Sequence, residues 1–409
     1  MARRKVDHLL IGGGLAAGNC ARWLREDGGE GSILLVGREP DPPYNRPPLS
    51  KDYLQGKESR DDALFRPDEW WDEQNIDLLK RTSVMKLDTA ERVATLSTKE
   101  EIEFDTALVA TGANVKRLRV DGCDLEGIHY LRAFANSEAI RADAETHKRA
   151  VLIGGSYIGC EVAASLSAAH GVDCTIVMME DVTFEPFFGD RVGRFFQNVL
   201  EEHGVTVHGA QELERFEGDG ERVTRVVTKN GLELECDFVV VGIGVTPDVT
   251  LARAAGLELG EAGGVRCSAG LESSAPGIFA AGDICEYDSP IHGAPMRIEH
   301  WDVAFNQGKT AGLNMLGRGV EHDVVPYFFS DLADWVSMEY VGPGSGDPVV
   351  RGSMEQHDFT VFYIDDGRAK AALTVGRSDD LEHARRFITE HTRVDPPALA
   401  DPNTDLGVL

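Results

Sequence analysis

The sequence has no closely spaced cysteine pair and no long uninterrupted apolar run, and it is short of positive charge. Its seven cysteines (Cys20, Cys123, Cys160, Cys174, Cys236, Cys267 and Cys285) are scattered, with no CxxC pair and no metal-ligand cluster. An odd, dispersed set argues against an extracellular disulfide framework and reads as reduced, mostly structural thiols. No stretch is apolar for long enough to span a bilayer. The opening MARRKVDHLLIGGGLAAG has the basic start of a signal peptide, but glycines interrupt the apolar run after Ile11, so it reads as a buried first strand and the expected location is cytoplasmic. With 41 basic against 69 acidic residues, the formal charge of −28 repels nucleic acid and anionic membranes unless a local basic patch overrides it. Arginine outnumbers lysine, which suits a salt-rich cytoplasm and equally a plain solubilising surface. At 409 residues and 42% hydrophobic, the chain can build two or three compact units.

What is present is a repeated pattern. Val6 to Gly18 reads as a short apolar strand, a glycine turn (Gly12, Gly13, Gly14) and a helix starting near Ala16, and Ala150 to Leu166 (AVLIGGSYIGCEVAASL) repeats it. Glycines in such a turn let the backbone approach a pyrophosphate, which then sits at the positive end of the following helix. One G-x-G-x-x-G is weak; two copies, each between a strand and a small-residue helix, predict two dinucleotide-binding units. Ala17 replaces the third glycine of the first copy, where a small residue suffices. Ser156 replaces the middle glycine of the second, where a side chain intrudes on the pyrophosphate's space.

Each unit closes with a returning strand that ends in glycine, Phe104 to Ala113 and Phe238 to Pro247. Gly277 to Asp283 (GIFAAGD) adds another strand and turn, so the first unit reads as interrupted by the second. From about Asp323 the sequence predicts hairpin strands (Phe359 to Ile364 and Ala369 to Val375), a helix from Asp380 to His391 and a frayed, proline-rich tail.

The order GGGLAAG, PPYNRPPLSK, ATGA, GGSYIGCE, GIGVTPD, GIFAAGD, RIEHWDVAFNQG, PYFFSDL resembles the FAD-dependent ferredoxin and rubredoxin reductases of bacterial oxygenase systems and the related apoptosis-inducing factor. The similarity covers nearly the whole chain, and its most specific element is Arg46-Pro47-Pro48-Leu49-Ser50-Lys51. It implies a glutathione-reductase-like α/β fold with two nested Rossmann-like domains and a C-terminal α+β interface domain. The expected division is an FAD-binding domain at 1–118 and 245–322, an NAD-binding domain at 119–244 and the C-terminal domain at 323–409.

In the wider superfamily a cysteine after the second strand takes electrons from the flavin, and here Val36 to Gln55 contains none. Disulfide reduction is therefore not expected, and electrons leave the flavin directly. Hydride transfer needs stacked rings and a supporting field, with no acid or base. By resemblance Lys51 is the cation beside the flavin and pairs with Glu161. A surface lysine and an ordinary helix glutamate are the plain alternatives. Arg46, stiffened by two prolines, suits a phosphate or flavin contact or is a solvated loop arginine. Asp283 matches the acid that bonds the ribityl chain, and also suits a helix N-cap.

Glu39 is the nearest acid after the strand Ile33 to Val36, although Arg38 stands where some relatives are acidic. Glu180 follows the strand Thr175 to Met179; an acid there repels a 2′-phosphate, so NADH is expected over NADPH. The remaining candidate cofactor contacts are Gly12, Gly14, Ala16 and Ala17 in the first turn, then Ala110, Thr111, Gly112 and Gly282. In the second unit they are Gly154, Ser156, Tyr157, Ile158, Gly159 and Gly244. Tyr157 gates nicotinamide in relatives or is a packed tyrosine; Glu299, His300 and Trp301 match positions near the flavin; Phe329 matches an aromatic near nicotinamide, with core packing as the plainer reading.

The expected partner is an acidic ferredoxin-like protein, docked on a basic patch that includes Arg297, Lys309 or Arg318. The resemblance leaves open an apoptosis-inducing-factor-like NADH sensor, an NADH oxidase or quinone reductase, and a homodimer. No metal, nucleic acid or membrane span is expected.

Overall fold

The structure, a computed structural model, describes residues 3–409. The chain divides into two compact units. The first comprises the chain up to Asn45, with Ala63–Asn114 and Thr246–Phe328; the second comprises Arg46–Asp62, Val115–Val245 and Phe329–Leu409. The seventeen residues Arg46–Asp62, which carry the RPPLSK block, thus leave the first unit and join the second.

In the first unit, Arg4–Ile11 is the central strand of a parallel sheet. Ile33–Val36 and then Ile76–Leu79 lie on one side, and Glu101–Val109 on the other. Ile278–Ala280 pairs in parallel with the far half of Glu101–Val109, and the antiparallel strands Val93–Leu96 and Val84–Asp88 continue from its near half. The central strands are apolar on both faces because helices cover them, and Leu9, Leu10, Leu34, Leu35, Leu108 and Val109 are fully buried. The second unit repeats the plan with five parallel strands: Thr206–His208, Asp173–Val177, Arg149–Ile153, Phe238–Val241 and Ile128–Tyr130. In both sheets the strand before the glycine turn lies between its successor and the returning strand, which is the switch point where doubly wound folds hold nucleotides.

Small residues bring two helices of the first unit together. A side-chain carbon at Gly308 would stand 2.4 Å from the Ala16 carbonyl, and one at Gly312 would stand 2.9 Å from that of Cys20. Helix Trp301–Met315 therefore lies directly on helix Leu15–Glu26, and its Gln307 accepts a hydrogen bond from the Gly282 amide at 2.8 Å. That bond pins the GIFAAGD turn.

The C-terminal sheet has the order Tyr327–Leu332, Val336–Val341, Arg368–Val375, Asp358–Asp365, Asp347–Ser353. The expected hairpin forms around Asp366 and Gly367, both with positive φ, and the helix runs Asp379–Thr389. The tail departs from expectation: it is not frayed. Leu399 and Leu406 are buried, and the buried Arg351 guanidinium donates to the carbonyls of Leu399, Asp401, Pro402 and Thr404 while lying 3.5 Å from Asp380. A guanidinium fork satisfies several carbonyls at once, so a proline-rich segment with few amide donors still packs. Asp380 keeps Arg377 at 2.9 Å, but replacing Arg351 with Met leaves the carbonyls of Leu399, Asp401, Pro402 and Thr404 without their donor and is expected to destabilise the second unit by about 3 kcal/mol. Urea unfolding, with faster proteolysis beyond Arg393 in native buffer, measures this.

Candidate functional site

The first glycine turn is built for close backbone approach. Gly12 has φ +130°, and a side-chain carbon there would meet the Ala110 carbonyl at 2.1 Å, so the turn packs on the end of the returning strand. A side-chain carbon at Gly14 would meet nothing within 4 Å, which leaves open space in front of the helix that begins at Leu15. Ala16 and Ala17 are buried in that helix. At the mouth, Thr111 donates to the Asp248 carbonyl at 2.6 Å, and the Asp248 amide donates to Gly112. Arg38 is occupied by Asp248 and Asn114, and Glu39 accepts from the Tyr44 hydroxyl at 2.6 Å.

Asp283 follows the pinned turn, whose Gly282 lies beside Ala16, and its carbonyl accepts from Arg297, which also pairs with Glu299. Trp301 donates to Asn45 at 2.9 Å and stacks on Phe305. His300 is half-buried by surface area, packed on Phe328, and the sealed part of its ring carries Nδ1, which has no partner among the described residues. Desolvation therefore holds this imidazole neutral down to about pH 4. An open space before a helix N-terminus, a second-strand acid and an orphaned ring nitrogen fit FAD.

The second turn has the same form. Gly154 has φ +112° and sits against the Gly242 carbonyl, while a side-chain carbon at Gly159 would lie 1.9 Å from the Gly154 carbonyl. Ser156 caps the helix Tyr157–His170 in extended backbone (φ −110°, ψ −160°), as Gly14 does in its own turn, so serine adds no backbone strain there. Tyr157 is half-buried against Phe184 and Phe187, at ring distances of 5.4 and 5.0 Å, and Ile158 follows it, also half-buried. Gly244, at φ +89°, accepts from the Lys116 amide. The strand before Glu180 ends at Val177, two residues short of the expected Met179, and the Glu180 carboxylate has no hydrogen-bond or ion-pair partner among the described residues. This set fits a nicotinamide dinucleotide with a free 2′-hydroxyl.

Between these features in sequence, but inside the same second unit, lies a buried ion pair. Lys51 Nζ stands 2.8 Å from Glu161 Oε1, with the residues 8% and 4% exposed. Ser50 donates to Glu161 Oε2 at 2.5 Å and Ser330 to Oε1 at 2.6 Å. Lys51 also sits 5.5 Å above the ring of Phe329, which is half-buried and not a core residue. Of its three donors, one goes to Glu161, and no other acceptor among the described residues engages it. Arg46 hydrogen-bonds the carbonyl of Arg132, which tethers the start of the RPPLSK block within the second unit.

No dithiol competes with this centre. Six of the seven cysteines are buried, and burial pushes thiols such as Cys236 up, to about 12.

Of the three cations expected in a docking patch, two are spent. Arg297 is held by Glu299, Ala262 and Asp283, and Arg318 pairs with Asp27. Lys309 is exposed and lies 4.2 Å over the Trp23 ring. Its companions in the first unit carried no signal on their own: Arg66 against Phe65 and Trp70, and Arg22, which lies beside Trp23 and is paired with Glu26 at 2.6 Å but is close enough for Arg66 to feel its charge. Only the interleaving of cations with aromatics around RWLR and FRPDEW pointed to them.

Residues 6–308 match the pyridine nucleotide-disulphide oxidoreductase family and residues 327–409 the reductase C-terminal family. The chain is 32% identical to putidaredoxin reductase CamA of Pseudomonas putida over 97% of its length and 95% of that protein's. It is 33% identical to the ferredoxin–NAD(+) reductase component of the anthranilate 1,2-dioxygenase system of Burkholderia cepacia, over 97% of this chain and 98% of the other. The ferredoxin reductase for the CYP199A2 system of Rhodopseudomonas palustris superposes with a TM-score of 0.93 at 31% identity, covering 98% and 99% of the two chains. The reductase chain in the covalent putidaredoxin reductase–putidaredoxin complex also gives 0.93, at 32% identity and 100% and 98% coverage. The chain belongs to the pyridine nucleotide-disulphide oxidoreductase family, in the branch whose members carry the reductase C-terminal domain.

The buried imidazoles set an acid limit on the first unit. His322, 2% exposed, is held neutral down to about pH 4 by desolvation, like His300. Both native values lie below the unfolded value of 6.5, so the unfolded chain binds more protons between. Their contribution is complete above pH 6.5 and is lost as pH falls toward 4. Urea unfolding at pH 7 and pH 5 is expected to differ by on the order of 1–3 kcal/mol. In His322→Asn the difference shrinks.

Proposed function

We propose that this protein takes hydride from NADH onto FAD and passes electrons singly to a small iron-sulfur protein of ferredoxin type that feeds an oxygenase. The observation that carries this is the buried Lys51–Glu161 pair, with donors to spare on Lys51, in a chain that has no cysteine between Val36 and Gln55 and whose Cys160, next to Glu161, is a fully buried thiol. FAD, when bound, supplies the conversion of a two-electron hydride into single electrons. The protein's work is binding and field. Gly12, Gly14, Ala16, Ala17, Glu39, Ala110, Thr111, Gly112, Gly282 and Asp283 would hold the flavin dinucleotide, with Glu299, His300 and Trp301 toward its ring. Gly154, Ser156, Ile158, Gly159, Glu180 and Gly244 would hold NADH, with Tyr157 and Phe329 toward the nicotinamide. Lys51 would carry the positive charge that hydride transfer calls for, and Glu161 would fix its position.

The relatives' names support the acceptor: they are ferredoxin reductases of oxygenase systems, and one was solved joined to putidaredoxin. Arg66 and Lys309 give an acidic ferredoxin a cationic landing place on a protein of charge −28, while Arg22 beside them is paired with Glu26. A homodimer remains compatible with this reading and plays no part in it.

The test is anaerobic reduction with NADH, followed by mixing with an oxidised [2Fe-2S] ferredoxin or with air. Ferredoxin is expected to restore the flavin colour much faster than air; no acceleration by ferredoxin contradicts the proposal. Reversing charge at Arg66 and Lys309 (Arg66→Glu, Lys309→Glu) is expected to raise KM for ferredoxin about tenfold at low salt. Turnover with ferricyanide should stay unchanged.

A further inference from the structure

We infer that Ser330, seconded by Ser50, is a positioning residue for hydride transfer, acting through Glu161 on Lys51; this rests on the function proposed above. Ser330 lies on the strand Tyr327–Leu332, where exposure alternates and where Phe328, Ser330 and Leu332 take the inward positions. A hydroxyl at 1% exposure among such neighbours is costly unless it is bonded, and its one side-chain partner among the described residues is Glu161 Oε1 at 2.6 Å. That oxygen also faces Lys51 Nζ at 2.8 Å, so one carboxylate oxygen is shared between a hydroxyl and an ammonium.

The other oxygen is fixed independently. Ser50, 2% exposed, has a single hydroxyl proton with two acceptors in reach, Glu161 Oε2 at 2.5 Å and the Pro47 carbonyl at 3.3 Å, and the shorter bond takes it. The carboxylate, carried on the helix of the second turn, is thus clamped at both oxygens by two segments distant in sequence, the Arg46–Asp62 excursion and the C-terminal sheet. A carboxylate held at one oxygen only can swing about its Cγ–Cδ bond and carry the lysine with it. Among the described residues, Lys51 has no second side-chain anchor besides the face of Phe329, the neighbour of Ser330 in the chain. Small displacements of a charge from a reacting centre are costly in rate, because the field is useful only where charge develops.

The test is a double-mutant cycle on the FAD-loaded protein, with the limiting rate of flavin reduction by NADH read in single-turnover mixing. Ser330→Ala is expected to slow that rate about tenfold, which is ~1.4 kcal/mol, with the NADH dissociation constant within about twofold of the parent. In the Glu161→Gln background, itself slow, Ser330→Ala should add little, because the group it acts through has changed. Flavin content and thermal midpoint are recorded for each variant, so a folding defect is read separately from rate. An unchanged rate in Ser330→Ala, or a loss that adds fully to that of Glu161→Gln, overturns the positioning role while leaving the proposed function intact. A Glu161→Gln variant that reduces as fast as the parent removes the reading on which the inference stands.

Discussion

A carboxylate taken out of water needs donors in place of it, and among the described residues Glu161 has three: Lys51, Ser50 and Ser330. Leaving any of these polar groups buried alone would cost more than the pair returns, so the bonds are made together or the segments do not pack. This explains why Arg46–Asp62 departs from the unit on either side of it in sequence. Its prolines set a short 3₁₀ turn at Pro47–Ser50 that delivers Ser50 and Lys51 to the helix of the second glycine turn. The helix begins where it does because Gly154 and Gly159 let it start against the returning strand. One buried charge pair thus links the placement of the excursion, the second turn and the C-terminal sheet.

The two dinucleotide cradles obey a simpler constraint, which is room. Gly12 and Gly154 are positions where any side chain would strike a carbonyl, and Gly14 is one where a side chain would stand in empty space. The difference separates glycines required by folding from a glycine whose smallness serves a ligand. Ser156 occupies the second kind of position without strain and brings a hydroxyl to the place where the first turn brings nothing.

Much of this was legible in the sequence because it rests on local rules. Glycine turns between apolar strands and small-residue helices marked both cradles, and period-two alternation with Asp-Asp-Gly marked the C-terminal hairpin. The Lys51–Glu161 pair was reached through the RPPLSK block and a resemblance, since nothing local ties a loop lysine to a distant helix glutamate. Ser50 and Ser330 carried no signal at all: a serine reads as solvent-facing until the partner that compensates its burial is known. The tail was misread for the same reason, because proline and polar content suggested fraying while the compensating group, Arg351, lay on a strand far upstream. The patch at Arg66 and Lys309 joins two segments and could not be told from paired surface charges such as Arg22 and Arg318.

On the proposed function, the Lys51 ammonium supplies the charge that makes flavin reduction by NADH fast. The most direct measurement is anaerobic single-turnover reduction of Lys51→Met loaded with FAD, compared with the parent at saturating NADH. The expected limiting rate is lower by about two orders of magnitude, with flavin still bound and NADH still binding. A variant that holds FAD and is reduced at the parent's rate would contradict it.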